Sequence, residues 1–442
     1  MSINLIIENK LCTGCGVCIS EDLSKTSKME WSSENFLVPA VGKSQYAEAM
    51  YNVCPFKKNQ INEDKLGKYF FSSQSSSYNN KIGYYNGLYI GYSKEYRRTS
   101  SSGGIATYIF KQLLERKIVD ALYVVQEKDN GFAYAICESV KDIKNISKTR
   151  YMPVTLEGLF DLIDNTNKKI AISGVACFVK AIRIKQKNNP QLKERIPFVV
   201  GIICGGLKSK YYTDYLAQEA QCFDPYDLIE YRVKKENSFA LDYQFKCENK
   251  DTKRIHLVDM QKLGDMWGTG LFKTRACDFC DDVVTELADI SLGDAWIPPY
   301  SLEGLGNNIV IARSKLANDI VLAGTRSDDL FLNEASEEQI ISSQGGSYNH
   351  RHKGLKYRIS SAQKNKEFIP NKRERFYTNT DPLFNIIQYY RNKIRENSLK
   401  YWIEKKDYKY FNEKLKADRK KLNLLSKIYR KFNQIKSLLI RK

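Results

Sequence analysis

The sequence lacks long apolar stretches. No run approaches the roughly 20 consecutive apolar residues that a membrane-spanning helix needs. Its first residues, MSINLIIENK, lack the basic region and the long apolar core of a secretory signal. These absences predict a cytoplasmic, reducing location. In that setting the eleven cysteines indicate metal or redox chemistry rather than disulfides.

Histidine is scarce as well. The three histidines, His256, His350 and His352, do not have the spacing of a metal site. We expect the segment around His350 and His352 to be a solvated loop.

Most of the chain has no excess of charge. The net charge is +19, but the first 350 residues carry 43 basic and 43 acidic groups. Residues 351–442 hold 27 Lys and Arg against 8 Asp and Glu, so this region carries the whole excess. The length of 442 residues predicts two or three domains.

Composition and periodicity divide the chain into four regions. Residues 1–60 form a short cysteine-bearing segment, and the Ser- and Asn-rich residues 61–82 are predicted to be a linker. Residues 83–350 alternate strand-like runs such as KKIAISGV with helix-like runs such as ACFVKAIRIKQK. This alternation predicts an α/β domain with a partly parallel sheet. Residues 351–442 are predicted to be helical and basic.

The predicted fold class is therefore mixed α/β and α+β, with several domains. A small ferredoxin-like N-terminal module precedes the α/β domain, and a helical basic tail follows it. Within the α/β domain, YRVKKE, ALDYQFKCE and KRIHLVDM predict an antiparallel insertion.

The N-terminal cysteines resemble a ferredoxin run that lacks one ligand. Cys12, Cys15 and Cys18 have the spacing of C-x₂-C-x₂-C, but Asp22 stands where the usual run has its fourth cysteine. The next cysteine, Cys54, precedes a proline, as the last cysteine of such a run does. We expect these four cysteines to hold a single 4Fe–4S cluster. A tetrahedral zinc site with the same ligands is the alternative.

A second set of cysteines lies in the α/β domain. Cys177 and Cys204 each follow a predicted strand, and Cys277 and Cys280 form a CxxC pair. Because the carboxyl ends of parallel strands meet at one edge of a sheet, Cys177 and Cys204 are expected to converge there. Burial as small apolar side chains is the alternative. It also suits the remaining cysteines, which have no partner spacing: Cys137, Cys222 and Cys247.

A Ser- and Gly-rich stretch, TSSSGGIA, joins a predicted strand to an amphipathic helix. Its free backbone N–H groups could hold a phosphate at the helix N-terminus, although such turns often only cap helices. The stretch matches neither the GxGxxG fingerprint nor the P-loop.

Taken in order, several motifs resemble one known family. SSSGGIATYIFKQLLERKIVDALYV, SGVACFVKAIR, CGGLKSK, RACDFCDDVVTELADISLGDAW and NNIVIARS are similar to the coenzyme F420 hydrogenase/dehydrogenase beta-subunit family. The resemblance covers about residues 83–350. It implies an iron–sulfur flavoprotein that binds FAD and 4Fe–4S clusters. Many bacterial members of this family carry an N-terminal ferredoxin-type segment, and some occur in polysaccharide biosynthesis pathways.

The resemblance also assigns roles to residues. It makes the second cysteine set, Cys177, Cys204, Cys277 and Cys280, the ligands of a second 4Fe–4S cluster. It implies flavin contacts for the loop and crevice residues Ser101, Ser102, Gly103, Gly104, Asp294, Trp296, Asn308 and Arg313. Asp294 is also a candidate proton donor, although a hydrogen-bonding role is the alternative.

The basic tail carries one apolar stripe. Leu425, Ile428, Phe432, Ile435 and Leu439 recur at spacings of three and four residues, which places them on one face of a helix. Packing within the protein or against another subunit is one interpretation. Peripheral contact with an anionic membrane surface is a second, and nucleic-acid binding is not expected because no motif accompanies the charge.

Together these features predict an oxidoreductase that passes electrons between a ferredoxin-type donor, the clusters, FAD and a small-molecule substrate. A sugar intermediate of surface polysaccharide synthesis is one candidate substrate. The alternative is a non-catalytic subunit that delivers electrons to a separate catalytic partner. A zinc-stabilised binding protein is a further alternative.

Overall fold

A computed structural model describes residues 1–42, 44–128, 131–223 and 225–440, with the side chains of 436–440 excepted. The N-terminal part is built from short elements: α1 (Asn4–Glu8), β1 (Lys28–Trp31), β2 (Leu37–Ala40), α2 (Ala47–Asn52), α3 (Glu63–Phe71), β3 (Ser77–Asn79) and β4 (Gly83–Tyr85). The strands pair antiparallel, β1 with β2 and β3 with β4. This part therefore contains two small sheets.

The remaining strands form one large and one small sheet. They are β5 (Gly87–Ser93), β6 (Ala121–Lys128), β7 (Gly131–Cys137), β8 (Ile170–Val175), β9 (Phe198–Ile202), β10 (Tyr226–Lys234), β11 (Tyr243–Asn249), β12 (Ile255–Asp259), β13 (Ile290–Asp294), β14 (Asn308–Ala312) and β15 (Leu330–Glu334). The large sheet has eight strands in the order β15-β5-β14-β13-β9-β8-β6-β7. The small one is β10-β11-β12, antiparallel throughout.

The helices after α3 cover the large sheet and extend beyond it. They are α4 (Ile105–Glu115), α5 (Leu159–Asp164), α6 (Ala176–Asn188), α7 (Leu192–Arg195), α8 (Tyr211–Glu219), α9 (Met260–Leu263), α10 (Lys315–Arg326), α11 (Glu337–Ser343), α12 (Gly345–Tyr348), α13 (Leu355–Lys364), α14 (Pro382–Lys405) and α15 (Tyr408–Ile440). Helix α4 shows why they form: Ile105, Ile109 and Leu113 recur every four residues and are fully buried.

The strand directions define one edge of the large sheet, here called the working edge, at which the carboxyl ends of its parallel strands lie. Strands β13, β9, β8 and β6 run parallel, and β5 points the same way because β14 lies antiparallel between β5 and β13. Their carboxyl ends therefore meet at one edge, where ligands bind in open α/β sheets. The mixed α/β fold class, the partly parallel sheet and the antiparallel insertion are confirmed.

The C-terminal helices are partly core structure. Trp402 of α14 and Phe411 of α15 are buried against Tyr215 of α8 and Phe272, and the rings of Phe272 and Phe411 stack with centroids 4.9 Å apart. Much of the region beyond residue 350 is thus packed onto the α/β domain. None of the helices in the described part of the chain is both long and apolar enough to cross a membrane.

The prediction of a linker over residues 61–82 is wrong. This segment contains helix α3 and strand β3, and the side chain of Glu63 on α3 is buried in an ion pair with Lys180, at 3.0 Å. Its Leu66 and Phe71 are also buried. The Ser- and Asn-rich composition concealed an element whose stability depends on contacts far away in the sequence.

Candidate functional site

The first cysteine set lies in two adjacent turns. Cys12, Cys15 and Cys18 occupy the loop after α1, and Cys54 occupies the turn after α2. Burial raises the pKa of the Cys18 thiol well above its usual range, and the charges of Cys15, Cys12 and Cys54 raise it further. The four sulfurs are therefore close enough to interact, and bound iron would supply the positive charge that favours their thiolate forms.

The backbone of this loop also faces the sulfur atoms. The Gly14 N–H donates to Cys12 Sγ at 3.4 Å. Gly14 and Gly16 have φ values of 74° and 72°, a left-handed conformation that favours glycine. At Gly16 a Cβ atom would lie 2.0 Å from Thr155 Oγ1, so the loop also packs tightly on the α/β domain. The donor set and its loop fit an iron–sulfur cluster.

Asp22 has a structural role at the position of the missing cysteine. Its carboxylate is buried and accepts hydrogen bonds from the backbone N–H groups of Ser24 and Ser27, and from the Ser24 hydroxyl. Burial alone would raise the pKa of Asp22, but the hydrogen bonds from Ser24 and Ser27 outweigh it and hold the pKa well below its usual range. Asp22 therefore stabilises the turn after the cysteine loop.

The second cysteine set lies at the working edge of the large sheet. Cys177 lies in the first turn of α6, which directly follows β8, and Cys204 follows β9. Cys277 and Cys280 lie at a short 3₁₀ turn. Burial raises the pKa of the Cys177 thiol, and the charges of Cys280, Cys204 and Cys277 raise it further. The structure thus brings the four cysteines together.

Backbone N–H groups point at these sulfurs as well. Gly206 N–H donates to Cys204 Sγ and Leu207 N–H donates to Cys277 Sγ, both at 3.2 Å. In the described residues no three His, Cys, Asp or Glu side chains converge tightly enough to hold a single metal ion. A 4Fe–4S cluster instead takes one thiolate at each of four corners. The assignment of the eight cysteines as cluster ligands stays a prediction.

The two cysteine sets are neighbours. Cys177 packs against the apolar cluster that contains Cys15 and against the one that contains Cys18 and Cys54. The charge of Cys15 also contributes to the raised pKa of Cys177. Cys15 and Cys177 therefore link the two sets through a shared apolar cluster.

Three buried cations surround the second set without an acidic partner. Lys208, Lys273 and Arg351 are each at most 3% exposed. Among the described residues, none of the three has a carboxylate within 4.0 Å. Burial lowers the pKa of Lys208 and of Lys273, whereas the charges of Cys277 and other neighbouring groups raise it. A buried cation is costly unless an anion compensates it, and an anionic cluster would do so.

Arg351 is the most direct of these contacts. Its guanidinium donates to the backbone carbonyls of Cys204 and, at 2.5 Å, of Asp282. Sequence reasoning missed it because the segment around it was expected to be a solvated loop. That expectation is wrong: Asn349–Lys353 is a π-helical turn, and His352 is buried against Phe376, with ring centroids 3.6 Å apart.

The predicted flavin loop lies at the same edge of the sheet. It follows β5 and ends at the N-terminus of α4. The Ile105 N–H donates to Asn308 Oδ1 at 3.2 Å, and Asn308 Nδ2 donates to the Gly293 carbonyl at 3.1 Å. A Cβ atom on Gly103 would lie 2.7 Å from Asn308 Oδ1, so glycine is required there by the protein's own packing. Asn308 thus ties the loop to the sheet.

The other loop residues also have partners within the protein. Ser101 Oγ accepts from the Thr149 N–H at 2.9 Å, and Ser102 Oγ donates to the Asn307 carbonyl at 3.2 Å. Gly104 has a φ of 80°, which its lack of a side chain permits. The predicted flavin contacts of this loop stay predictions.

Asp294 and Trp296 lie beside an arginine that sequence reasoning missed. Arg232 Nη1 donates to both carboxylate oxygens of Asp294 at 2.8 Å, and its guanidinium lies 5.4 Å from the Trp296 ring centroid. Arg232 Nε is buried and has no hydrogen-bond partner among the residues that the structure describes. An acceptor atom of a bound molecule would satisfy it, which fits a flavin at this edge.

Lys234 is a second missed cation at this edge. It lies two residues after Arg232 in β10, next to a register shift in the pairing of that strand with β11. Its Nζ donates to the carbonyls of Arg97 and Ser102. Burial lowers the pKa of Lys234 to about 7, and Arg232 and Arg97 contribute. The sequence signal that could have revealed both cations is the pair of basic residues two positions apart in YRVKKE, Arg232 and Lys234.

Arg313 is placed differently from the other predicted flavin residues. It is fully buried, and its guanidinium donates to the carbonyls of Ile82 and Tyr84 at 2.7 Å and of Val284 at 3.2 Å. Its Nε donates to Ser291 Oγ at 3.2 Å. These bonds attach β4 to the large sheet. The flavin contact of Arg313 stays a prediction, and these bonds do not favour it.

Comparison with known structures relates this fold to a hydrogenase component. A chain of the F420-reducing [NiFe] hydrogenase complex from Methanosarcina barkeri, in a xenon-derivatised structure, matches with a TM-score of 0.51 and 18% identity. The match covers 67% of this chain and 99% of the other. At this identity the likeness shows a shared fold alone.

The family itself follows from the sequence comparison. Residues 88–160 match the N-terminal model of the coenzyme F420 hydrogenase/dehydrogenase beta subunit, and residues 167–338 match its C-terminal model. Together the two models cover more than half of the chain. The chain therefore belongs to this family.

One relative is the beta subunit of F420-dependent formate dehydrogenase from Methanocaldococcus jannaschii. It is 22% identical over 200 residues, or 45% of this chain and 49% of the relative. The chain thus spans about half the length of this curated relative.

Proposed function

We propose that the protein is an iron–sulfur flavoprotein subunit that transfers electrons between a ferredoxin-type donor and a small substrate. The observation that carries the proposal is the pair of adjacent cysteine sets, whose members are buried or half-buried. The second set is also surrounded by buried cations that have no acidic partner among the described residues. Such an arrangement is costly in a purely structural core, because each buried cation needs a counter-charge. Family membership implies the same cofactors.

The proposed electron path follows the contacts between cysteines. The first set, in the N-terminal segment, would receive single electrons from the external donor. Each electron would then pass to the second set where Cys15 and Cys177 lie close to each other. The working edge of the sheet, where the second set lies, is also where Asp294 and Asn308 lie. The reverse direction is allowed by the same contacts.

FAD would exchange an electron pair or hydride with the substrate and single electrons with the clusters. The protein's own part is to position it. Arg232 Nε offers an unpaired donor, and Trp296 offers an apolar ring beside it. Lys234, with its pKa near 7, can hold or release a proton near neutral pH. Asp294 is paired with Arg232, which favours a positioning role over proton donation.

The substrate class is the least constrained part of the proposal. A sugar intermediate of surface polysaccharide synthesis, expected from the sequence resemblance, is one class to test, and no described residue selects it. The relatives are a subunit of a formate dehydrogenase and a chain of a hydrogenase complex, which favours the alternative of a subunit that serves a separate catalytic partner. Contact with a membrane through the basic tail is a separate proposal, since it depends on α15 and not on the cysteines.

The test is anaerobic purification of the whole chain with iron, sulfide and flavin assays. Two clusters predict about eight irons and eight sulfides per chain, and one FAD is expected with them. About four irons without flavin would favour the electron-delivery alternative. A colourless protein that contains zinc would contradict the proposal.

A matched pair of variants assigns the clusters. Cys54→Ser and Cys280→Ser should each remove about half of the iron. Cys222→Ser is the control, because Cys222 is buried outside both sets and its substitution should leave the iron content unchanged. Equal iron in all three variants would show that neither cysteine set binds a cluster.

A further inference from the structure

The last helix presents a second apolar face that the described part of the chain leaves exposed. One face of α15 packs inward through Leu415 and Leu422, and Tyr429 continues that face against the ring of Phe384. The outer face bears Leu424, Ile428, Phe432 and Ile435, which are between 47% and 59% exposed. Leu425 of the predicted stripe lies half-buried on the inner side, and the side chain of Leu439 lies outside the described residues.

The exposed residues form a continuous strip. Successive residues of an α-helix are rotated by about 100°, so positions 424, 428, 432 and 435 fall within about a quarter of the helix circumference. Isolated exposed apolar residues are common on protein surfaces, but a contiguous row on one helix face marks an interaction site. The strip is therefore a candidate docking surface.

The charge around the strip is of one sign. From residue 419 to the last residue the sequence contains nine Lys or Arg residues and no Asp or Glu. On the helical wheel Lys427 and Lys431 border one side of the strip, and Lys421 lies within it. A partner that buries the strip must therefore also accept a high density of positive charge.

We propose that this face of α15 docks on the surface of an anionic phospholipid bilayer. A helix lying in the membrane interface inserts its apolar face among the acyl chains while its lysines remain among the headgroups. Long lysine side chains can extend from the apolar boundary to the anionic phosphates. A second copy of the chain fits less well, because two such faces brought together would place their lysines against one another.

The test is co-sedimentation of the full chain with vesicles of phosphatidylcholine, alone or mixed with phosphatidylglycerol. Binding is expected only to the mixed vesicles, and it should weaken at high salt. The combined variant Leu424→Ser, Ile428→Ser and Phe432→Ser should bind at least about tenfold more weakly. The matched control changes exposed leucines away from the helix, Leu23→Ser, Leu241→Ser and Leu302→Ser, and should bind as the original chain does.

Several outcomes would overturn the proposal. Unchanged binding by the α15 variant would show that positive charge alone is responsible, and equal binding to neutral vesicles would remove the role of charge. A dimer in solution that the α15 variant splits would assign the face to a second copy. Because the substituted residues are exposed, circular dichroism and iron content should not change, so this result is independent of the redox proposal.

Discussion

The two cysteine sets lie side by side but are held in different electrostatic surroundings. Near the first set, the charge of Lys180 acts on Cys54, and Lys180 is already paired with Glu63 at 3.0 Å. Near the second set, Arg351, Lys208 and Lys273 are buried, and no carboxylate in the described part of the chain pairs with them. A bound anionic group would therefore compensate the buried positive charges at the second set. At the first set the neighbouring cation is already compensated by Glu63.

The difference also bears on the direction of electron flow. Reduction adds a negative charge to a cluster, and uncompensated cations nearby stabilise the reduced form. The second site is therefore expected to have the higher reduction potential. Electrons would then move favourably from the N-terminal segment toward the sheet edge where the predicted flavin residues lie.

The largest expected effect is on stability. Cys280→Ser should lower the free energy of unfolding by about 3–5 kcal/mol, because loss of the cluster leaves buried cations without a counter-charge. Cys54→Ser should cost about 1–2 kcal/mol, as is usual for a single buried substitution. Anaerobic urea unfolding of the two variants measures the difference. Equal losses would show that the cations do not depend on the second cluster.

The next effect concerns the reduction potential of the second site. Arg351→Met should lower it by about 60–120 mV, which corresponds to about 1.4–2.8 kcal/mol for one electron. The reason is the loss of a buried positive charge that hydrogen-bonds the Cys204 carbonyl. An electron paramagnetic resonance titration in the Cys54→Ser background observes the second cluster alone.

The matched control removes a neutral pair beside the first site. Lys180→Met combined with Glu63→Gln should shift the potential of the first cluster by less than about 30 mV, since the two charges already cancel. Cys280→Ser provides the background in which only the first cluster remains. A shift as large as that of Arg351→Met would abolish the distinction between the two sites.

Sequence periodicity and spacing predicted the main architecture. The alternating runs around KKIAISGV gave the parallel strands β8 and β9, and their order placed Cys177 and Cys204 at the same edge of the sheet. These features are local, or follow from a general rule of parallel sheets. The family motifs and the antiparallel insertion were recognisable for the same reason.

The features that sequence reasoning missed depend on distant contacts. Helix α3 was hidden because its Glu63 is stabilised by Lys180 and Arg373, which lie far away in the chain. Arg351 was missed because a charged residue between two histidines looks exposed until α13 and the CxxC turn enclose it. Composition cannot show which charged side chains a fold will bury.

A smaller effect is expected from the loop of the first set. Gly16→Ala should destabilise the protein by about 1–2 kcal/mol, because an alanine at a positive φ is strained and its Cβ would meet Thr155 and Glu157. The distortion should reduce the iron content of the first site and leave the second filled. Iron assays and the spectrum of the Cys54→Ser variant provide the comparison, and loss of both clusters would contradict the separation of the two sites.

The smallest effect concerns Asp22, which stands where a ferredoxin run has its fourth cysteine. Asp22→Asn should lower the free energy of unfolding by about 1 kcal/mol at neutral pH, because the charged hydrogen-bond acceptor is lost. Since the folded-state pKa of Asp22 is depressed, its contribution is present above the usual pKa of an aspartate, about 4, and is lost as the pH falls below it. The difference in free energy of unfolding between the original protein and Asp22→Asn should therefore disappear in acid, as measured by urea unfolding over a pH series.

A second variant tests whether position 22 takes part in metal binding. Asp22→Cys should leave the iron content unchanged, because Cys54 already provides the fourth thiolate of the first set. Additional iron would show that this set is incomplete without position 22.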